Sequence, residues 1–323
     1  MRSPPELARQ PLRRMLAGLL ALLSGLMLYA CAAAPVQRVV IDEPRVGPMA
    51  PFTPGRPVLA LVLSGGSARG FAHIGVIKVL EEEGITPDLV VGSSVGSIVA
   101  AAYASGMDIR AMLATAREVH NTPLADYTIP NLGLPFLHGE LGIVRGQLLQ
   151  DYVNRLVNRR AIEALPRRLA VVATDLQAGK PIVFTHGDTG LAVRASCAVP
   201  GVFVPPSIGG RLYVDGQVSS PVPVAAARAL GADIVIAVDT TFPPELARIS
   251  TTVDVLFQTI TIATQRIKDY ELGMATLVIR PELQHSGQIG FAEQEWIIAE
   301  GERAARAALP EILRVLGRRE VQP

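Results

Sequence analysis

The sequence contains little charge, little cysteine and few aromatic residues. Charged residues make up 18% of the 323 positions and the formal net charge is +1, so we expect no basic surface and no nucleic acid as a partner. The two cysteines, Cys31 and Cys197, lie outside any C-x-x-C spacing, which argues against both a disulfide scaffold and a zinc site. Hydrophobic residues make up 49%, which is enough for a domain with a sizeable buried core.

The N-terminal residues have the pattern of a bacterial export signal. Two arginines precede the uncharged stretch 15–37, a basic start followed by an apolar core. Within it, residues 28–31 (Leu-Tyr-Ala-Cys) resemble a lipobox, in which the cysteine is acylated. We predict a lipoprotein signal peptide at 1–30 and lipidation at Cys31; the alternative is an uncleaved transmembrane helix. Both place the chain in the bacterial cell envelope, anchored to the membrane and facing the periplasm.

Residues 31–57 are rich in proline and have no hydrophobic periodicity. Because proline removes a backbone donor and fixes φ, such a segment favours an extended, semi-rigid tether over a helix or a central strand. The globular part is therefore expected to begin near Val58. The prolines are Pro35, Pro44, Pro48, Pro51, Pro54 and Pro57.

Two strand–turn–helix units follow the predicted tether. The continuous apolar run 58–63 is typical of a strand buried on both faces, and an amphipathic helix is predicted at 71–83. Residues 88–91 and a small-residue helix at 98–105 repeat this order, which implies parallel strands. Further strands are predicted at 169–175, 181–185, 212–215, 234–239 and 276–280, and further helices at 146–157, 222–230, 252–272 and 292–316.

These elements predict an α/β fold with a mixed, mostly parallel sheet between layers of helices. Strands that alternate with helices along the chain are typical of that class. We place the main domain at 58–230 and a C-terminal α/β extension, packed on the same domain, at 231–323.

The second turn contains a candidate nucleophile. Residues 92–96 read Gly-Ser-Ser-Val-Gly and fit G-x-S-x-G, a sharp strand-to-helix turn that exposes a serine hydroxyl. Gly92 and Gly96 leave room for neighbouring backbone, and Ser94 is placed at a helix N-terminus, where the dipole favours developing negative charge. The same letters also occur in ordinary tight turns, but the position between a predicted strand and a predicted helix favours a nucleophile.

The first turn contains a candidate oxyanion loop. Gly65, Gly66 and Ser67 can present successive N–H groups at the start of a helix, as needed to stabilise a tetrahedral oxyanion. The alternatives to an oxyanion loop are a dinucleotide-binding fingerprint and an ordinary turn. The fingerprint G-x-G-x-x-G is not matched, because position 67 is serine. Arg69 and Gly70 complete the loop. We interpret Arg69 as a residue that stabilises the loop and takes no part in catalysis, because arginine cannot act as a base near neutral pH.

A serine nucleophile needs a proton acceptor within hydrogen-bond reach. Of the five histidines, only His285 comes late enough for the Ser–Asp–His order of α/β-hydrolases, and that fold needs several strands before its nucleophile. Asp215 instead follows a short apolar strand and precedes Gly216, and burial at such a strand end would raise its pKa. An ordinary Asp-Gly turn is the alternative. The remaining histidines, His73, His120, His138 and His186, fall on a helix face, in an irregular segment or in a turn.

Together these motifs resemble the patatin-like phospholipase family, especially its bacterial members. The likeness covers about residues 61–228 and is carried by 63–80 (LSGGSARGFAHIGVIKVL), the G-x-S-x-G turn, 194–203 (RASCAVPGVF) and Asp215-Gly216. The resemblance implies a three-layer α/β/α sandwich and hydrolysis of lipid acyl esters without a metal or cofactor. It also implies that Ser94 is the nucleophile, that Asp215 is the proton acceptor and that the Gly-rich loop binds the oxyanion.

Two positions depart from the family pattern. Ser67 stands where the family usually has a third glycine, which would strain the loop if this position needs a positive φ. Gln217 replaces the glycine or alanine that usually follows Asp-Gly. Neither departure removes a catalytic side chain.

The sequence therefore predicts a membrane-tethered lipid acyl hydrolase that acts on a phospholipid or another acyl-ester lipid. An irregular segment at 121–146, rich in proline and apolar residues, is predicted to line or cover an acyl-chain cleft; a plain surface excursion is the alternative. Two other functions stay open: a non-catalytic lipid-binding or scaffolding lipoprotein, and acyl transfer to an acceptor other than water.

Overall fold

The apolar runs of the chain form one central sheet. The computed structural model describes residues 41–119, 122, 124–126, 141–247, 249–284 and 293–317; the predicted signal peptide and Cys31 lie outside this part. Along the sheet the strands follow the order β5-β6-β3-β2-β1-β7-β8, and β4 also pairs with β3. The strands are β1 (Leu59–Leu63), β2 (Leu89–Ser93), β3 (Arg168–Asp175), β4 (Lys180–Phe184), β5 (Ser207–Ile208), β6 (Arg211–Val214), β7 (Ile234–Val238) and β8 (Leu277–Ile279).

The sheet is parallel at its centre and antiparallel at one side. β1 pairs in parallel with β2 and β7, β2 with β3, and β7 with β8. β4 and β6 run antiparallel to β3, and β5 is antiparallel to β6. The central strands β1 and β2 are buried along their whole length, as expected for parallel strands that are covered on both faces.

Helices cover both faces of the sheet. Alternate residues of β1 enter different cores: Leu59, Leu61 and Leu63 belong to one hydrophobic cluster, and Ala60 and Val62 to another. The predicted three-layer α/β/α sandwich with a mixed sheet is therefore confirmed. The helices are α1 (Ala72–Glu82), α2 (Val95–Ala104), α3 (Ile109–Glu118), α4 (Gln147–Leu156), α5 (Thr189–Ser196), α6 (Val224–Ala229), α7 (Thr252–Gly273) and α8 (Gln294–Val315).

Two helices, α3 and α5, are absent from the sequence prediction. Helix α3 has the apolar spacing of an amphipathic helix, so the sequence prediction that omits it is incomplete. The residues that face the core are Ile109, Met112, Leu113 and Ala116. Helix α5 contains Gly190, a poor helix former, at a place where a Cβ would lie 2.4 Å from the carbonyl oxygen of Gln150. Close packing, rather than intrinsic propensity, therefore accounts for α5. Within the described residues, no helix is both long and apolar enough to cross a bilayer.

The chain is already packed on the domain before β1 begins. The N–H of Arg45 donates to the carbonyl of His186 at 3.0 Å. The backbone of Gly47 exchanges two hydrogen bonds with the hydroxyl of Thr185, at 3.0 and 2.8 Å. The compact unit includes these residues, so contacts with the domain begin before Val58. Prolines discourage helix and central strand, but they do not prevent an extended segment from docking through its remaining backbone groups.

Candidate active site

Two strands meet end to end along one edge of β3. β2 runs parallel to β3 and pairs with it up to Ser93, whereas β6 runs in the opposite direction and pairs with Thr174 of β3. The opposite edge of β3 is occupied by β4. The residues that follow β2 and β6, Ser94 and Asp215, therefore approach the same stretch of β3 from opposite directions.

Ser94 occupies the strand-to-helix turn in a strained conformation. Its φ is +52° and it is the N-cap of α2, a left-handed geometry that disfavours residues with a Cβ. The Ser94 N–H donates to Ser196 Oγ at 2.9 Å, and Ser196 Oγ donates to the carbonyl of Val172 in β3 at 2.6 Å. The turn is therefore fixed to the sheet on one side, and Ser94 Oγ donates to Asp215 Oδ2 at 2.7 Å.

The two glycines of the turn are required by close backbone contacts. A Cβ on Gly92 would lie 2.5 Å from Cα of Ser97, and a Cβ on Gly96 would lie 2.3 Å from the carbonyl oxygen of Leu63. Both distances are too short for any side chain. The G-x-S-x-G spacing thus lets α2 pack directly against the end of β1.

Asp215 is a buried carboxylate with a raised pKa. The residue is 4% exposed, and burial raises its pKa to about 7, although hydrogen bonds from Ser94 Oγ and the N–H of Gln217 oppose the shift. Desolvation disfavours the charged form. A carboxylate with a pKa near the working pH is a much stronger base than an exposed aspartate. A Cβ on Gly216 would lie 2.2 Å from the carbonyl oxygen of Val172, so glycine is needed next to the acid.

The Gly-rich loop differs in one respect from the sequence expectation. The N–H of Gly65 donates to the carbonyl of Pro221 at 3.1 Å and so is not a free oxyanion donor. Gly65 allows close packing instead, because a Cβ there would lie 2.3 Å from Oε1 of Gln217. No hydrogen bond within the described part of the chain uses the N–H of Gly66 or Ser67, so both N–H groups remain available as donors.

Three further positions shape this loop. Ser67 has φ of +52°, the region in which the glycine usual for the family would be unstrained. A Cβ on Gly70 would lie 2.5 Å from Cγ1 of Val95, so glycine lets the loop pack on α2. Arg69 is buried with its guanidinium 5.4 Å from the ring of Phe242; burial lowers its pKa to about 10, and it stays charged at neutral pH.

His73 is buried next to the start of the Gly-rich loop. Its imidazole Nε2 lies 2.9 Å from the carbonyl oxygen of Ser64 and 3.3 Å from Oγ1 of Thr240. Complete burial lowers the pKa of His73 to about 4, so the ring is neutral near pH 7. His186 contacts Thr185 beside β4. The other histidines, His120, His138 and His285, lie outside the described residues.

A cavity of about 540 Å³ opens at the Ser94–Asp215 pair. Its walls are mainly apolar and come from α2, α3, α4, α7 and the segment after α5. Lining residues include Ile98, Met112, Leu149, Phe203 and Phe257. Leu124, from the segment predicted to line a cleft, also contacts the cavity; most of that segment, including 127–140, lies outside the described residues.

Two buried side chains near Ser94 and Asp215 make contacts that the sequence motifs do not predict. Ser196 fixes the Ser94 backbone, as described above; it lies in a stretch that resembles the family, but its role depends on a contact with β3. Glu271 of α7 accepts hydrogen bonds from Ser220 Oγ (2.5 Å) and the N–H of Val222 (3.1 Å). Burial raises the pKa of Glu271 to about 7. Glu271 thus holds the loop that follows Asp215.

The described residues contain no cluster of three or more His, Cys, Asp or Glu side chains arranged to hold a metal ion. Cys197 is a buried free thiol whose Sγ lies 3.8 Å from Ser97 Oγ. Burial raises the pKa of the Cys197 thiol, so this thiol is a poor nucleophile.

The fold and this site define a class of α/β protein with a serine on a strand-to-helix turn, a buried aspartate beside it and a Gly-rich loop. The family model of patatin-like phospholipases matches residues 61–228, more than half of the chain. The chain belongs to the patatin-like phospholipase family.

Several curated proteins are similar to the chain. An uncharacterized NTE family protein of Mycobacterium tuberculosis is 41% identical over 183 residues, which cover 56% of this chain and 49% of the relative. Another from the same organism is 32% identical over 311 residues, covering 87% of this chain and 52% of the relative. Patatin-like phospholipase domain-containing protein 6 of Mus musculus is 35% identical over 190 residues, covering 56% of this chain and 13% of the relative. The chain spans about half the length of the mycobacterial relatives.

Proposed function

We propose that the chain is a lipid acyl-ester hydrolase that uses Ser94 as its nucleophile and Asp215 as its base. One observation carries this proposal: Ser94 Oγ donates a 2.7 Å hydrogen bond to a buried carboxylate at the mouth of an apolar cavity. A serine hydroxyl is a weak nucleophile until a neighbouring group accepts its proton. Family membership supports a lipid ester as the substrate.

In the proposed reaction, Ser94 Oγ attacks the ester carbonyl while Asp215 accepts its proton. The negative charge on the tetrahedral intermediate is stabilised by the N–H groups of Gly66 and Ser67 and by the N-terminus of α2. The intermediate expels the alcohol, which takes the proton from Asp215. A water molecule then attacks the acyl-enzyme, Asp215 accepts a proton from the water, and the proton returns to Ser94 Oγ as the fatty acid leaves.

The cavity fits the acyl part of such a substrate. Pockets of some 300–1,000 Å³ with mainly apolar walls and a few polar groups at one point are typical of small-molecule sites. Here Ser67, Ser94, Asp215 and Gln217 lie together at one part of the lining, and most of the other walls are aliphatic or aromatic. An ester carbonyl can reach the dyad while its hydrocarbon chain occupies the cavity.

A fluorophosphonate probe and mixed phospholipid vesicles test the proposal together. We expect the purified chain to be labelled and to release free fatty acid, and we expect Ser94→Ala to lose both activities by at least about 1,000-fold. Ser105→Ala is a matched control because Ser105 lies at the other end of α2, where its hydroxyl donates to the carbonyl of Ala102. Labelling that persists in Ser94→Ala would contradict Ser94 as the nucleophile. An unmodified chain that neither labels nor hydrolyses would favour a lipid-binding role.

We further propose that Cys31 is lipidated after removal of residues 1–30 and anchors the domain on the periplasmic side of the cell envelope. The basic start, the apolar stretch and the lipobox-like residues before Cys31 support this anchor. Mass spectrometry of the mature protein from a bacterial membrane fraction tests it. We expect an acylated Cys31 at the N-terminus, and retention of residues 1–30 in the membrane-bound protein would instead indicate an uncleaved helix.

A further inference from the structure

The outward side of α7 is unusually apolar for a helix at a protein surface. Five large apolar side chains of this helix are exposed, and we call them the α7 outer face. In an α-helix, residues seven apart lie on the same side, so Val255 and Ile262 are aligned. The α7 outer face consists of Val255, Leu256, Ile262, Ile267 and Tyr270, of which Leu256, Ile262 and Tyr270 are 58%, 57% and 71% exposed.

Residues 255–265 of α7 contain no charged side chain, although a helix at the surface normally has several. A surface helix usually has charged residues on the side away from the core, but residues 255–265 of α7 read VLFQTITIATQ. Asp254, just before this stretch, accepts hydrogen bonds from the N–H groups of Ser250 and Thr251 in the capping box. The stretch 255–265, about three turns of α7, therefore presents an uncharged surface to solvent. Two apolar residues before the helix, Leu246 and Ile249, are exposed as well.

The opposite side of the same helix belongs to the active-site cavity. Phe257, Ile260 and Thr261 line the cavity that contains Ser94. The α7 outer face and the cavity thus lie on the two sides of one helix. Tyr270, near the C-terminal end, combines an apolar ring with a polar hydroxyl, as is typical of residues at a membrane–water interface. Arg266 lies one turn before it and is exposed.

We infer that the α7 outer face is the surface by which the domain docks on a lipid bilayer. This choice of partner rests on the proposed function, because an acyl-ester lipid resides in a bilayer and its chain must reach the cavity beneath α7. A mainly apolar helical face gains free energy by burying its apolar side chains at the headgroup–acyl boundary. A docked α7 also shortens the path of the acyl chain through water.

Fluorescence quenching in the full chain tests docking independently of catalysis. Trp296 is the single tryptophan, so Trp296→Phe gives a background into which Ile262→Trp or Leu256→Trp is introduced. With phosphatidylcholine vesicles that carry dibrominated acyl chains, we expect the emission at either position to fall by at least half. Val46→Trp is the matched control, because Val46 is 62% exposed and lies beside β4; its emission should fall by less than a tenth. Equal quenching at all positions, or none on α7, would overturn the inference.

Hydrolysis assays provide the second test. We expect Leu256→Glu with Ile262→Glu to reduce turnover of vesicle phospholipid at least tenfold and to leave hydrolysis of a soluble butyrate ester within twofold, since neither residue lines the cavity. Val46→Glu should change neither rate. If no variant hydrolyses either substrate, the proposed function fails while the quenching result still decides docking. A dimer in sedimentation that dissociates in the Leu256→Glu variant, with no quenching by vesicles, would identify the face as a self-association surface and overturn the inference.

Discussion

At the scale of single residues, the site depends on holding Ser94 and Asp215 in unfavourable states. Ser94 keeps a positive φ because its N–H is fixed to Ser196 and flanking glycines admit the neighbouring backbone. Asp215 is buried without a charged hydrogen-bond partner among the described side chains. Strain and desolvation of this kind lower stability and are common at functional sites. In the proposed reaction, the same residues would determine both the rate and its pH dependence.

The raised pKa of Asp215 predicts the pH dependence of hydrolysis. Only the ionised carboxylate accepts the Ser94 proton, so kcat/KM for a soluble ester should rise tenfold per pH unit below about pH 7, where Asp215 titrates, and level off above it. Glu271, whose pKa is also about 7, is the competing group. We expect the Glu271→Gln variant to keep the rising limb. Loss of the limb in that variant would assign the titration to Glu271 instead.

Asp215→Asn should stabilise the protein at alkaline pH while it abolishes activity. Burial raises the pKa of Asp215 from 3.8 to about 7, so the folded state binds the proton more tightly than the unfolded state. Native stability therefore falls as pH rises from about 4 to about 7 and then levels off, a loss of up to about 4 kcal/mol. Removing the charge removes this loss. Urea unfolding at pH 5 and pH 8 measures it: the stabilisation relative to the native chain should be larger at pH 8, and a gain that is independent of pH would contradict the assignment.

At the scale of elements, the helices rather than the strands form the walls of the cavity. β2 and β6 present the dyad, whereas α2, α3, α4 and α7 supply the cavity walls. Helix α3 contributes Met112, which is buried and lines the cavity. Because methionine is flexible and fills irregular gaps, this position is suited to adjusting the length of the cavity.

Met112→Trp should shorten the acyl chains that the protein accepts. The larger ring occupies space that a long chain would fill, so we expect hydrolysis of a sixteen-carbon ester to fall at least tenfold and that of a butyrate ester to change less than threefold. The volume-conserving control Met112→Leu should leave the ratio of the two rates unchanged. An equal loss on both substrates would indicate damage to the fold and no role in chain length.

At the scale of the whole molecule, the C-terminal part completes the domain. β7 pairs with β1 along its whole length, so the strand that carries the Gly-rich loop has β2 on one edge and β7 on the other. Helix α8 crosses α1 so closely that a Cβ on Gly301 would lie 2.0 Å from the carbonyl oxygen of Ala72. The Gly-rich loop directly precedes α1, so the position of this loop depends on residues far beyond the stretch that resembles the family.

Gly301→Val should therefore destabilise the domain by at least about 2 kcal/mol, because the new side chain cannot be accommodated between α8 and α1. Urea or thermal unfolding measures the change. Gly273→Ala is the matched control: nothing lies within 4 Å of a Cβ at Gly273 at the end of α7, so its effect should be below about 1 kcal/mol. Equal effects of the two substitutions would show that α8 does not pack on α1 in this way.

The sequence by itself determined the features that consecutive residues encode. The apolar runs, the glycine spacing and the strand-to-helix order predict β1, β2, α1 and α2, and they identify the turn that holds Ser94, because each is set by local sterics and hydrophobic periodicity. Helix α3 also has a local apolar pattern of this kind. Helix α5, the docking of the segment before β1 and the use of the Gly65 N–H by Pro221 were not predictable in this way. Each of these depends on a partner that is distant in the chain.

Only the tertiary structure decided that Ser94 and Asp215 form a pair. They are 121 residues apart, and no local pattern requires them to touch. They meet because β6 continues along the edge of β3 where β2 ends, in the opposite direction. The buried environment that raises the pKa of Asp215 likewise arises from packing around that junction, since desolvation is a property of the assembled core and not of the Asp-Gly sequence.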